Sequence, residues 1–268
     1  MNQFEEYLEE AHRLKRAYRD EIILFVGLET EYITSLDLDN LGKLLERFKE
    51  KIEYIVGSVH HVRSIPIDFD LATFQSCLGT FDGETEQERM EAFLCAYFDA
   101  QYEVLEKFRP EIVGHIDLCR LYNPRLLFSD YPRAEGKLER NIQFAADYGA
   151  IFEASAAPFR KGWDTGYPGK DVLEVGHLDQ SSGLALSDHW PTQRILSNGG
   201  RVGLSDDSHG KHAVGLNYSR LAKYLKASGV TEIYILAEGE GGPGGRVVKP
   251  TVVSGNWWND PFWERLPH

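Results

Sequence analysis

The stretch Ile22-Ile23-Leu24-Phe25-Val26-Gly27-Leu28-Glu29 sets the reading of the whole chain. A short apolar run bounded by Gly27 predicts a buried strand over 22–26. An acid, Glu29, stands just beyond it. Ahead of the run, Phe4, Leu8, Ala11, Leu14 and Tyr18 recur at helical spacing and predict a helix over 3–19. Behind it the same unit returns. A helix around 40–51 carries Leu41, Leu44, Leu45 and Phe48 on one face and leads to a strand at 54–59. A helix over about 84–108 opens on the capping box Thr85-Glu86-Gln87-Glu88, closes at Pro110 and leads to a strand at 111–114. Helices near 136–148, 191–198 and 217–228 lead to strands at 150–152, 201–204 and 232–236. Such alternation implies parallel strands with helices packed outside. Six predicted strands are too few for a closed eight-stranded barrel, so one or two opening βα units are expected to be absent.

The chain has 268 residues, enough for one large α/β domain, and a net charge of −13. That charge disfavours nucleic acid and anionic membrane surfaces as partners. A small anionic substrate remains compatible, because a metal or a local cation can reverse the field in a cleft. Three cysteines without CxxC spacing fit a reducing compartment. The N-terminus is too polar for a secretory signal, and no apolar run reaches membrane-spanning length, so a cytoplasmic location is expected.

The chemistry-bearing residues cluster behind the predicted strands. Glu29 and Glu31 follow the first, His60 and His61 the second, His115 and Asp117 the third, Glu153 the fourth, and Asp206, Asp207 and His209 the fifth. Parallel strands all end on one side, so these residues converge there. His60 and His61 alternate faces, and only one of them is expected in the site. Asp206 and Asp207 also suit helix capping. His12, His177, His189, His212 and His268 default to the surface. Imidazole with carboxylate favours Zn, Mn or Fe over Mg. Arg120, Arg160 and Lys161 are positioned to clamp a phosphate. No GxSxG elbow, P-loop or GxGxxG is present.

Gly-Leu-Glu29, Gly-Ser-Val-His60, Gly-His115-Ile-Asp117, Phe159-Arg160-Lys161-Gly162 with Tyr167-Pro168, and Leu-Ser-Asp-Asp207-Ser-His209-Gly210 resemble the PHP family of phosphoesterases. Within it the likeness is to the histidinol-phosphatases, with a fungal spacing, over about residues 4–238. The resemblance implies an α/β fold, a distorted (β/α)7 barrel holding divalent metal ions. It implies hydrolysis of L-histidinol phosphate to L-histidinol and phosphate in histidine biosynthesis. It implies Glu29, His60, His115, Asp207 and His209 as metal ligands, with Asp207 and His209 at the chemistry and Arg160 and Lys161 on the substrate phosphate.

The chain departs from the family pattern in three places. The opening His-x-His and the Asp and His after it are not found, so the barrel is expected to be N-terminally truncated by one or two βα units. Ser155 stands where the family carries Asn. Residues 174–192 form an atypical insertion. The expected organisation is a barrel over 1–238 and a C-terminal extension, 239–268, packed on it, with Trp257, Trp258 and Trp263 as a lid. An exposed sheet edge predicts self-association. The expected function is a metal-dependent phosphomonoesterase acting on histidinol phosphate, with reduced or absent activity in this truncated form. The alternatives are another phosphoesterase of the superfamily or an inactive metal- or partner-binding remnant.

Overall fold

The computed structural model describes residues 2–173, 194–242, 244–253 and 255–265. Helix α1 (Asn2–Ala17) lays Leu8 against Val26, Ile52 and Ile55, with Phe4 and Ala11 beside them. Strand β1 (Gly27–Glu29) begins where the predicted strand ends. The reason is its neighbour, since Gly27 pairs with Tyr54 and among the described residues no strand pairs with residues 22–25. Ile22 and Ile23 are therefore exposed, at 54 % and 81 %. An apolar run without a ladder partner is not a strand, and Glu29 becomes the last residue of β1 rather than one past it.

Helix α2 (Ser35–Arg47) starts earlier than the apolar pattern suggests, because Thr34 and Asp37 form a reciprocal capping box. It leads to β2 (Tyr54–Gly57). A small hairpin, β3 (His61–Val62) with β4 (Ile65–Pro66), and helix α3 (Leu71–Leu78) follow, none of them anticipated. Helix α4 (Glu86–Phe108) has the predicted Thr85–Glu88 box. It buries Phe93, Leu94, Tyr97 and Phe98 in the main core. Then come β5 (Ile112–Val113), α5 (Pro132–Tyr148), β6 (Ile151–Ser155), α6 (Ala157–Arg160) and α7 (Lys170–Leu173). The insertion at 174–192, with His177 and His189, lies outside the described residues, as do His268 and the start of the helix predicted over 191–198. The described part, 195–199, is turn, ending in Gly199-Gly200. The chain closes with β7 (Arg201–Ser205), α8 (Tyr218–Ala227), β8 (Tyr234–Glu238) and β9 (Val248–Val252).

The main sheet is parallel and runs β1-β2-β5-β6-β7, five strands among the described residues. Strand β8 is not a sixth member. It pairs antiparallel with β9, because the Gly-rich segment after it turns the chain back. It still lies against β7: a Cβ on Gly203 would sit 2.9 Å from the Tyr234 carbonyl oxygen, so glycine is needed for that approach. A 480 Å³ cavity is lined by Phe25 on one side, β8 on the other, and Val56, Ile112 and Ile151 between them. The α/β fold is thus a curled sheet wrapped by helices.

Two contacts tie the C-terminal residues to this body. Arg246 Nε donates to both oxygens of the fully buried Glu111 at 2.8 Å, and Glu111 also accepts from Ile55 N at 2.9 Å. Trp257, 2 % exposed, joins the main core and meets Trp258 and Trp263 edge-on at 5.7 Å.

Candidate metal centre

The strand ends bring Glu29, His60 and His115 together, with one donor atom from each lying within 4.8 Å of the others. Glu29 ends β1, His60 follows β2, and His115 follows β5. Glu29 Oε1 lies 3.1 Å from His115 Nε2 and 3.4 Å from His60 Nε2, and the two Nε2 atoms are 3.2 Å apart. Local packing explains the convergence. A Cβ at residue 114 would collide with Ser58 Oγ, so Gly114 lets the turn after β5 close on the one after β2. Thr30 Oγ1 donates to Ser58 O at 2.9 Å and accepts from Ser58 N at 2.8 Å, locking the Glu29 and His60 loops together. His115 is held at both backbone ends. Its N donates to Glu153 Oε2 at 2.6 Å, and its O accepts from Tyr97 Oη at 3.3 Å.

The electrostatics follow from that geometry. Burial favours a neutral Glu29, but hydrogen bonds from His115 and His60 outweigh it and hold the carboxyl well below the usual range. Burial pulls His60 down, while bonds to Glu29 and Glu31 push it up to about 10. His115 is raised too: Glu29 and Glu153 overcome the desolvation of a buried ring. An anionic oxygen thus faces two nitrogens that either take up protons or share a cation. His60 Nδ1 lies 3.3 Å from Glu31 Oε2, while among the described residues the buried His115 Nδ1 has no hydrogen-bond partner. Two imidazole nitrogens and a carboxylate oxygen on one point fit a borderline divalent ion such as Zn, Mn or Fe.

Other predicted residues fall around this group rather than in it. Asp207 is half-buried, in a left-handed conformation with φ 50°. Burial raises its carboxyl, opposed by His115, while Glu29 adds to the rise, so Asp207 lies in the field of His115 and Glu29. His209 is exposed, with Nε2 3.1 Å from Asp207 Oδ1. Arg160 donates to the carbonyls of Asp206 and Asp207 at 2.5 and 3.0 Å and pins that turn. Asp206 accepts from Gly215 N at 2.5 Å in the turn ahead of α8, a loop contact rather than the helix cap expected. Lys161 sits nearby in the fields of Asp68 and Asp207. His61 turns away from the trio onto Glu31, at 2.8 Å.

Two expectations change. Arg120 is not at the site: it is 4 % exposed and ion-paired with Asp117 and Asp171. Asp117 joins it there, accepting from Gly169 N at 2.8 Å. Glu153 proves to be the backbone anchor of His115, a role its place in a fully buried strand did not reveal. Ser155 Oγ accepts from Ala157 N at 3.2 Å, a local turn bond. No described helix is long and apolar enough to cross a membrane.

Comparison with known proteins bears on family and fold. A family model described as PHP domain matches residues 1–157. The chain is 37 % identical over 257 residues to a "Probable histidinol-phosphatase" of Schizosaccharomyces pombe, covering 95 % of this chain and 75 % of that protein. It is 26 % identical to the "Histidinol-phosphatase" of Saccharomyces cerevisiae, covering 98 % of this chain and 79 % of that protein. The crystal structure of a candidate histidinol phosphatase from Listeria monocytogenes superposes with a TM-score of 0.59 at 18 % identity, over 82 % of this chain and 76 % of the other, a likeness of fold.

Proposed function

The chain belongs to the PHP domain family, and on that premise we propose that it is a metal-dependent phosphoric monoester hydrolase that converts L-histidinol phosphate to L-histidinol and phosphate. The observation that carries this reading is the convergence of Glu29 Oε1 with the Nε2 atoms of His60 and His115. Glu29, His60 and His115 would hold a divalent ion of the Zn, Mn or Fe type. When bound, the metal supplies Lewis-acid polarisation of a phosphoryl oxygen and lowers the pKa of attacking water.

The chain's own groups do the rest. Glu29 stays anionic over the working pH range, because its carboxyl is held low. Asp207 and His209 form the acid–base pair. Burial raises the Asp207 carboxyl, and His209, 3.1 Å away and exposed, links it to solvent. A proton taken up at Asp207 Oδ1 can pass to His209 Nε2 and leave, or return to the departing alkoxide. Arg160 fixes the turn that presents Asp207, and its remaining N–H donors together with Lys161 bind the substrate phosphate. The three buried thiols, Cys77, Cys95 and Cys119, support a reducing, cytoplasmic setting. Exposed Ile22 and Ile23 beside β1 support self-association.

The test is phosphate release from L-histidinol phosphate by the metal-loaded chain, with His115→Ala as the control. We expect turnover by the unsubstituted chain, and a fall of roughly a hundredfold or more in the variant. An unsubstituted chain that releases no phosphate from this ester, or a variant as fast as it, would refute the assignment.

A further inference from the structure

Between His60 and α3 lies the hairpin β3–β4, whose far end takes no part in the metal trio. Ile67 N donates to His60 O at 2.9 Å, so Asp68 is placed one residue beyond a backbone bond to a proposed metal ligand. Tyr122 Oη holds the Asp68 carbonyl at 3.3 Å. Asp70, two residues on, has a structural role, capping α3 by accepting from Thr73 N at 2.7 Å. Asp68 has no such role. It is half-buried, and among the described residues its carboxylate accepts no hydrogen bond. Its charge nevertheless reaches the site. Lys161, lowered by burial, is held up by Asp68 first and by Asp207 second. Between Asp68 and Asp70 stands Phe69, its ring 78 % exposed on a segment braced from both sides. A large exposed apolar ring beside a carboxylate that accepts no hydrogen bond among the described residues is an arrangement that a flat, cationic group would satisfy on both counts.

We propose that Asp68 and Phe69 form the subsite for the non-phosphate end of the substrate, Asp68 pairing with an ammonium group and Phe69 stacking on an aromatic ring. The inference rests on the phosphatase reading and deepens it. Lys161 and the metal trio take the anionic end, and the Asp68–Phe69 segment after the hairpin takes the cationic, ring-bearing end. The substrate class is therefore a phosphate monoester whose alcohol carries an amine and a planar ring, not phosphate esters at large.

The test uses the full metal-loaded chain, Asp68→Asn and Phe69→Ala, with two probes measured by calorimetry: L-histidinol, which lacks phosphate, and inorganic phosphate. Asp68→Asn should weaken L-histidinol roughly tenfold, the loss of one charge-assisted bond, and Phe69→Ala severalfold. Neither should weaken inorganic phosphate to the same extent. In turnover, the ratio of kcat/KM for L-histidinol phosphate over p-nitrophenyl phosphate should fall roughly tenfold in Asp68→Asn. The proposal is overturned if the unsubstituted chain does not bind L-histidinol, or if both variants bind it as tightly as the unsubstituted chain. It is overturned equally if phosphate is lost in step with L-histidinol. Failure of the phosphatase reading is distinguishable: neither ester then turns over, while the L-histidinol titration still decides the subsite.

Discussion

Replacing Glu29 by Gln is the perturbation whose size follows most directly from the structure. His60 rises from 6.5 to about 10 although burial opposes the change, because Glu29 and Glu31 both hydrogen-bond its ring. Each pH unit corresponds to ~1.4 kcal/mol. The rise is shared between two acids, and Glu29 is 42 % exposed, so solvent screens part of it. The Glu29 share is then about 2 kcal/mol, or a fall of roughly one to two pH units in the His60 midpoint. The sign also fixes a stability window for the metal-stripped chain. The His60 midpoint lies above its ordinary value, so its contribution is full below about pH 6.5 and is lost as pH rises toward 10. Glu29 lies below its ordinary value, so the same coupling fades as pH falls through that depressed midpoint. The assay is an NMR titration of the His60 ring protons in chelator, unsubstituted chain against Glu29→Gln. A His60 midpoint that stays within a few tenths of a unit would refute the reasoning, because Glu29 would then not be the group that charges the ring.

Two further outcomes follow from buried contacts. Glu153→Leu leaves the His115 amide buried without its acceptor, at about 1–3 kcal/mol, and should weaken metal binding by roughly ten- to a hundredfold in a metal titration. Glu153→Gln, which keeps an acceptor oxygen, should retain most of it. Arg246→Ala strands the Glu111 carboxylate, 0 % exposed, and should destabilise by ~3 kcal/mol, lowering Tm by roughly 6–12 °C in a thermal melt. Metal content should hold in that variant, since Glu111 precedes β5 and His115 follows it.

Glu29, His60 and His115 were legible because each follows an apolar run broken by glycine, and parallel strands deliver such positions to one side. The strand bounds were less legible, since residues 22–25 are as apolar as any strand but pair with no strand among the described residues. The hairpin at 61–66 carries two-residue strands, too short for any periodicity to register. The Glu111 partner of Arg246 lies 135 residues away along the chain, and Arg120, besides Asp117 three residues before it, pairs with Asp171 51 residues on, so the burial of these ion pairs has little local signal. β8 carries the same apolar pattern as a parallel strand, and only its pairing with β9 separates it from the main sheet. The backbone bond from His115 to Glu153 has no sequence signal at all, because strand β6 is buried along its whole length.

The central claim is that Glu29, His60 and His115 together hold a divalent metal. It is tested most directly by metal content per chain, measured by plasma mass spectrometry after exhaustive dialysis, for the unsubstituted chain, His60→Ala, His115→Ala and His209→Ala. The account predicts a stoichiometric divalent ion in the unsubstituted chain, its loss in His60→Ala and His115→Ala, and its retention in His209→Ala, whose ring is exposed and outside the trio. Undiminished metal in His115→Ala, or equal loss in all three variants, would contradict it.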